Sequence, residues 1–152
     1  MGASIITCTD QTTMVIHAPD RPVNLPYVET EVYPGFPTDL QSLLLVAACM
    51  AEGELVLRER IFSGRFKIIE ELLRMGAVIR QENDCAIIEG GHPLEGRNVI
   101  ARELRGGAAL LTAGLAANGI TTVTDTMYIR RGYEDVIGDL TALGAVIAEY
   151  SP

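Results

Sequence analysis

Arginine stands beside glycine at Gly64-Arg65, Arg105-Gly106-Gly107 and Arg131-Gly132, each time where an apolar helical pattern begins. A fourth such start is Thr38-Asp39-Leu40-Gln41. The first N–H groups of a helix lack intrahelical partners and carry about half a unit of positive charge. An arginine there is mildly unfavourable by itself. It becomes useful when an anion is to be held, because amide donors, dipole and guanidinium then converge on it. Glycine alongside lets the backbone approach a phosphate or carboxylate closely. Arg65, Arg105 and Arg131 are therefore candidate anion ligands.

Asp39 offers the complementary chemistry. It follows the rigid run Tyr33-Pro34-Gly35-Phe36-Pro37, and Thr38 with Gln41 has the spacing of a capping box. In a first turn the dipole favours an ionised carboxylate, able to accept a proton or a hydroxyl hydrogen bond from a substrate. By residue type alone it reads first as an ordinary first-turn acid. His17 and His92 have no other ligand at metal spacing, and no metal is expected. No Walker loop, dinucleotide fingerprint or G-x-S-x-G occurs, so no cofactor is implied.

The elements that would position these residues repeat. Leu73-Arg74-Met75-Gly76-Ala77-Val78-Ile79 answers to Ala142-Leu143-Gly144-Ala145-Val146-Ile147, with 144 − 76 = 68 positions between the glycines. Val46–Gly53 answers to Thr112–Gly119 at an offset of 119 − 53 = 66. In each copy a helix (about 38–52; about 105–118) ends at glycine, which suits the left-handed position after a helix. A β-branched strand follows (Glu54–Leu57; Ile120–Val123), then a second helix (about 65–75; about 132–143), another glycine and an Ala-Val-Ile strand. Thr13–His17 and Ala86–Glu89 read as hairpin partners of Ser4–Cys8 and Ala77–Arg80, the latter across Asn83-Asp84. The expected fold is α/β: two tandem β-α-β-α-β-β units, about 24–90 and 91–152, with both crossovers feeding one mixed sheet. Residues 2–23 read as the strand tail of a further unit, which would leave one sheet face without its cover.

Composition narrows the function classes. The 152 residues are 48% hydrophobic, enough for a real core, and 12 basic against 20 acidic residues give a net charge of −8. So acidic a chain does not coat nucleic acid, and a small anionic ligand is favoured over a polyanion. The longest apolar run, Leu43 to Ala51, is too short to cross a bilayer, and Met1–Ile6 lacks the pattern of a signal peptide. Cys8, Cys49 and Cys85 have neither metal nor redox spacing and read as reduced thiols.

The same residues carry a resemblance. Tyr33–Gln41, Ile61-Phe62-Ser63-Gly64-Arg65-Phe66, Leu104–Leu110 and Arg131-Gly132-Tyr133-Glu134 are similar, in order and spacing, to the carboxy-terminal third of the UDP-N-acetylglucosamine 1-carboxyvinyltransferase (enolpyruvyl transferase) family. The resemblance implies an inside-out α/β barrel, with this chain as two of the three units of one domain. It implies a cytoplasmic enzyme of peptidoglycan synthesis, acting on phosphoenolpyruvate and UDP-N-acetylglucosamine. Asp39 matches the residue that contacts the sugar hydroxyl and serves as the candidate base. Ile61 matches a backbone contact to the nucleotide sugar, and Arg65 an arginine near the cleft. Arg105 and Arg131 match arginines that grip phosphoenolpyruvate and stabilise the tetrahedral adduct, Arg131 being counted as catalytic with Asp39.

Three departures from the family pattern stand out: Ser63-Gly64 for an acidic-Asn pair, Glu103 for an aspartate, and Arg130 for an acidic residue. The family's lysine–asparagine pair and reactive cysteine loop lie in an amino-terminal domain that this chain does not match, so the chain alone is expected to be inactive. Two other readings stay open. One is the shikimate-pathway sibling enzyme; the other is a non-catalytic anion-binding or assembly module.

Overall fold

The computed structural model describes residues 1–7 and 12–150, and Cys8 falls outside them. Strands β1 (Ser4–Thr7) and β2 (Met14–His17) form an antiparallel hairpin pairing Ile5 with Ile16 and Ile6 with Val15. All four of these apolar side chains are exposed.

The first unit shows the full expected order. It runs β3 (Tyr27–Glu29), α1 (Gln41–Met50), β4 (Glu54–Arg58), α2 (Ile69–Arg74), β5 (Val78–Glu82) and β6 (Cys85–Glu89). The four strands lie in the order β3-β4-β6-β5, with β3 parallel to β4 and the other pairs antiparallel. Alternation decides which face is buried. Leu55 and Leu57 of β4 stand opposite Ile88 and Ala86 of β6, and all four side chains point into the core. Asn83, at φ 54°, turns the β5–β6 hairpin where the Asn-Asp pair predicts it.

The second unit begins the same way with β7 (Asn98–Ile100), α3 (Leu104–Ala116) and β8 (Thr122–Thr124). Strands β7 and β8 pair in parallel as a separate two-stranded sheet, so the two crossovers do not feed one sheet as expected. Helices α4 (Met127–Arg130) and α5 (Val136–Ala142) follow. Gly76 and Gly144 end α2 and α5 with φ of 91° and 93°, the conformation that selects glycine after a helix. Ala145–Ile147 forms no strand. The first unit's equivalent, β5, is held by its hairpin partner β6, and no such partner meets Ala145–Ile147 among the described residues.

One core spans both units. Leu45, Val46 and Cys49 of α1, Leu55 and Leu57 of β4, Leu72 of α2, Ile88 of β6, Val99 of β7, and Ala109, Leu110 and Ala113 of α3 form a single cluster. Helices α1 and α3, the equivalent helices of the two copies, pack on each other. The buried Glu71 ties α2 to the second unit, accepting from the Ile100 amide at 3.3 Å with Arg102 Nε at 3.7 Å. No described helix is long and apolar enough to cross a membrane.

Candidate anion and carboxylate site

Packing of α1 on α3 sets their amino ends side by side, and Asp39 meets Arg105 there. Asp39 sits in the 3-10 turn Thr38–Leu40 that leads into α1. Its Oδ1 is 2.6 Å from Arg105 Nε and 3.2 Å from an Arg65 terminal nitrogen. Arg65 also donates to the Thr38 carbonyl at 3.4 Å, and its guanidinium lies 4.5 Å over the Phe62 ring. The Arg105 guanidinium, and after it that of Arg65, holds the Asp39 carboxyl below its ordinary range, against a smaller opposing effect of partial desolvation.

The helix starts differ from expectation. Arg105 does lie in the first turn of α3, but Glu103 caps that helix. The Glu103 carboxylate accepts from the Arg105 amide at 3.0 Å and from the Gly106 amide. A carboxylate of the chain itself thus occupies the amides expected to hold a ligand, and only the arginine side chain reaches outward. Arg65 precedes its helix, in a run of turns over residues 63–68. Arg131 follows α4 instead of opening a helix. The next helix starts at Val136, capped by Asp135, whose Oδ1 accepts from the Gly138 amide at 2.9 Å. A cation after α4 suits the negative end of the helix dipole. Arg130 pairs with Glu149.

Arg131 does not touch the Asp39 cluster. Its side chain is exposed, with no ion-pair or hydrogen-bond partner among the described residues. The segment does come to the right end of α3. A Cβ on Gly132 would lie 2.5 Å from Leu104 Cδ1, and one on Gly107 would lie 2.8 Å from Ile129 Cγ1. The backbone after Arg131 therefore rests against the residue before Arg105.

The capping box is also absent. Neither the 3-10 turn nor α1 has a side-chain cap. The Thr38 hydroxyl instead donates to Glu59 Oε2 at 2.9 Å, and Gln41 is buried with the Ser42 hydroxyl donating to its Oε1 at 3.2 Å. A carboxylate is the stronger acceptor, and it draws Thr38 away from the helix amides.

Glu59 is the residue that sequence reasoning missed. It is 4% exposed, and its Oε1 accepts from Thr30 Oγ1 at 2.8 Å, the Ile61 amide at 2.8 Å and the Phe62 amide at 3.1 Å. The loop it holds borders a hollow of about 280 Å³, facing Gln81 of β5 and Asn83 and Asp84 of the β5–β6 turn. Ile61 and Arg65 line that hollow; Asp39, Arg105 and Arg131 do not. Among the described residues, no group of three His, Cys, Asp or Glu side chains is placed to hold a metal ion.

A family model for EPSP synthase (3-phosphoshikimate 1-carboxyvinyltransferase) matches residues 1–140. The chain belongs to this enolpyruvyl transferase family. Among family members, it is 50% identical over 127 residues to UDP-N-acetylglucosamine 1-carboxyvinyltransferase 2 of Symbiobacterium thermophilum, covering 84% of this chain and 30% of that protein. A second relative, UDP-N-acetylglucosamine 1-carboxyvinyltransferase 2 of Bacillus cereus, is 44% identical over 146 residues, covering 96% of this chain and 33% of that protein. The chain thus spans about a third of the length of the curated relatives it matches. In fold it is similar to the enolpyruvyl transferase NikO from Streptomyces tendae, with a TM-score of 0.86 and 30% identity over 100% of this chain and 35% of that one. The mixed α/β architecture of duplicated units is the enolpyruvyl transferase fold.

Proposed function

We propose that this chain is part of a UDP-N-acetylglucosamine 1-carboxyvinyltransferase, contributing the base and the anion-gripping arginines. The reaction is an addition–elimination. The 3′-hydroxyl oxygen of UDP-N-acetylglucosamine bonds to C2 of phosphoenolpyruvate as the C=C bond takes up a proton at C3. The tetrahedral adduct then loses a C3 proton and phosphate to restore the double bond. Asp39 receives the hydroxyl proton, Arg105 and Arg131 hold the phosphoenolpyruvate charges, and Ile61 and Arg65 line the sugar side. The rest of the site belongs to a further domain, so the chain alone turns over no substrate. UDP-N-acetylglucosamine and phosphoenolpyruvate are its partners only in the complete enzyme, in the cytoplasm.

The observation that supports this reading best is the 2.6 Å pair between Asp39 and Arg105, placed by two packed helices at the edge of the Ile61–Arg65 loop. The pair also suggests how the base is controlled. While Arg105 faces Asp39, the carboxylate is a weaker base than it would be alone. An anion that draws Arg105 away removes the main cause of that depression, so binding of phosphoenolpyruvate and activation of Asp39 go together.

The test is phosphate release by the full-length transferase containing this chain, with UDP-N-acetylglucosamine or shikimate 3-phosphate as acceptor. Release with the nucleotide sugar alone is expected. Release only with shikimate 3-phosphate assigns the chain to the sibling reaction, and release with neither leaves the assembly module. Product formed by the isolated 152-residue chain contradicts the assignment of the missing groups to another domain.

A further inference from the structure

Glu59 places a carboxylate in the interior with no arginine or lysine at ion-pair distance among the described residues. Withdrawing a charge from water costs several kcal/mol unless hydrogen bonds replace the lost hydration. Here four donors do so, from three separate segments: Thr30 after β3, Thr38 in the turn before α1, and the Ile61 and Phe62 amides after β4. Thr30 Oγ1 in turn accepts from the Arg60 amide at 2.9 Å. The residue next to Thr38 is Asp39, and the loop begun by Ile61 carries Arg65. One buried group therefore ties the carboxylate's turn to the loop that holds its second arginine.

We propose that Glu59 is a positioning residue for enolpyruvyl transfer, fixing Asp39 against the Ile61–Arg65 loop through the Thr38 hydroxyl. This rests on the function proposed above, with Asp39 as base and Ile61 beside the sugar. Glu59 itself borders the hollow but is only 4% exposed, and both of its oxygens are taken up by the groups it binds. Its two oxygens divide the work: Oε1 shapes the loop, and Oε2 holds the Asp39 turn.

That division makes the proposal testable. Thr38→Val removes the Oε2 donor and leaves the three Oε1 donors in place. In the full-length transferase, Thr38→Val should lower kcat by roughly 10- to 100-fold, the scale of a reacting group displaced by about 1 Å, with KM for phosphoenolpyruvate within about 2-fold. In this chain by itself, hydrogen exchange at Ile61 and Phe62 should stay slow in Thr38→Val and become fast in Glu59→Ala. Glu59→Gln keeps a carbonyl acceptor for the loop and should restore slow exchange. Wild-type turnover in Thr38→Val overturns the proposal, as does slow exchange at both amides in Glu59→Ala. Wild-type enzyme that transfers no enolpyruvyl group overturns the functional reading, and the role of Glu59 in it, while the exchange results still decide whether the clamp exists.

Discussion

Asp39 and Arg105 occupy equivalent places in the duplicated unit, 105 − 39 = 66 positions apart, and their side chains meet at 2.6 Å. The same offset relates Arg65 to Arg131, since 131 − 65 = 66. Duplication therefore repeats the arginine and replaces the carboxylate. In the first unit Arg65 finds Asp39 at the helix start. In the second, the residue at that place is another guanidinium, and the Arg131 segment, packed through Gly132 on Leu104, arrives at an end of α3 where Arg105 follows the capping carboxylate of Glu103.

Arg105 has a carboxylate partner in Asp39 and Arg131 has none among the described residues, so under the proposed function Arg131 depends more on the ligand. Arg131→Ala in the full-length transferase should raise KM for phosphoenolpyruvate and lower kcat. Loss of a charged hydrogen bond of about 1.5–3 kcal/mol corresponds to roughly 10- to 100-fold in kcat/KM. Asp39→Asn should lower kcat by about 10²- to 10⁴-fold, the usual contribution of a positioned base. Steady-state kinetics with both substrates varied checks each. Unchanged turnover in both variants would favour the assembly module.

The pair should also report itself by titration. Arg105 lowers the folded-state pKa of Asp39 below its unfolded value, so its contribution to stability is present above about pH 3.9 and is lost as pH falls through the folded pKa. In Arg105→Ala the carboxyl resonance of Asp39 should titrate at higher pH than in the wild type. The carboxylate is largely exposed, so the difference should shrink in 1 M salt. Identical titration curves would mean that Arg105 does not govern Asp39 in solution.

Cys49 has the opposite sign. Burial in α1 pushes its thiol up to about 12. The neutral thiol is favoured in the fold, so stability is lost as pH rises above the unfolded value near 8.5 and on towards the folded one. At pH 10 this loss is about 2 kcal/mol relative to pH 7. Denaturant unfolding at both pH values should show that loss in the wild type and not in Cys49→Ala.

Gly107 is where α3 admits α4. A Cβ there would come 2.8 Å from Ile129 Cγ1 and 3.0 Å from Ala101 Cβ, and Ile129 is itself buried. Alanine in a helix gains up to about 1 kcal/mol over glycine, whereas overpacking costs about 1–3 kcal/mol. Gly107→Ala should lower stability by about 1 kcal/mol net, and that penalty should be smaller when measured in an Ile129→Ala background, although Ile129→Ala is itself destabilising. Thermal unfolding of both variants checks it.

Local signals in the chain determined most of the fold. The stops of α2 and α5, the β5–β6 turn, the buried face of β4 and the order of the first unit each depend on a few neighbouring residues, through φ preference or period-two alternation. By contrast, α1 and α3 end three residues short of the predicted Gly53 and Gly119. The duplication was legible for the same reason, as were two of the three arginines, Arg65 and Arg105, which meet Asp39, whereas Arg131 stands apart from it. What the tertiary structure decided was which groups those residues spend their bonds on. Glu103 fills the amides at the start of α3, Thr38 turns to Glu59 instead of capping α1, and Arg131 follows one helix instead of opening another. Each outcome is a contest between a local partner and one brought close by packing, 21 residues away in the case of Thr38 and Glu59. Glu59 itself resembles any charged residue after a strand until Thr30, Thr38 and the following loop close over it. A single sequence prescribes the donors and acceptors, and only the folded arrangement of α1 on α3 and β3 on β4 determines which of them meet.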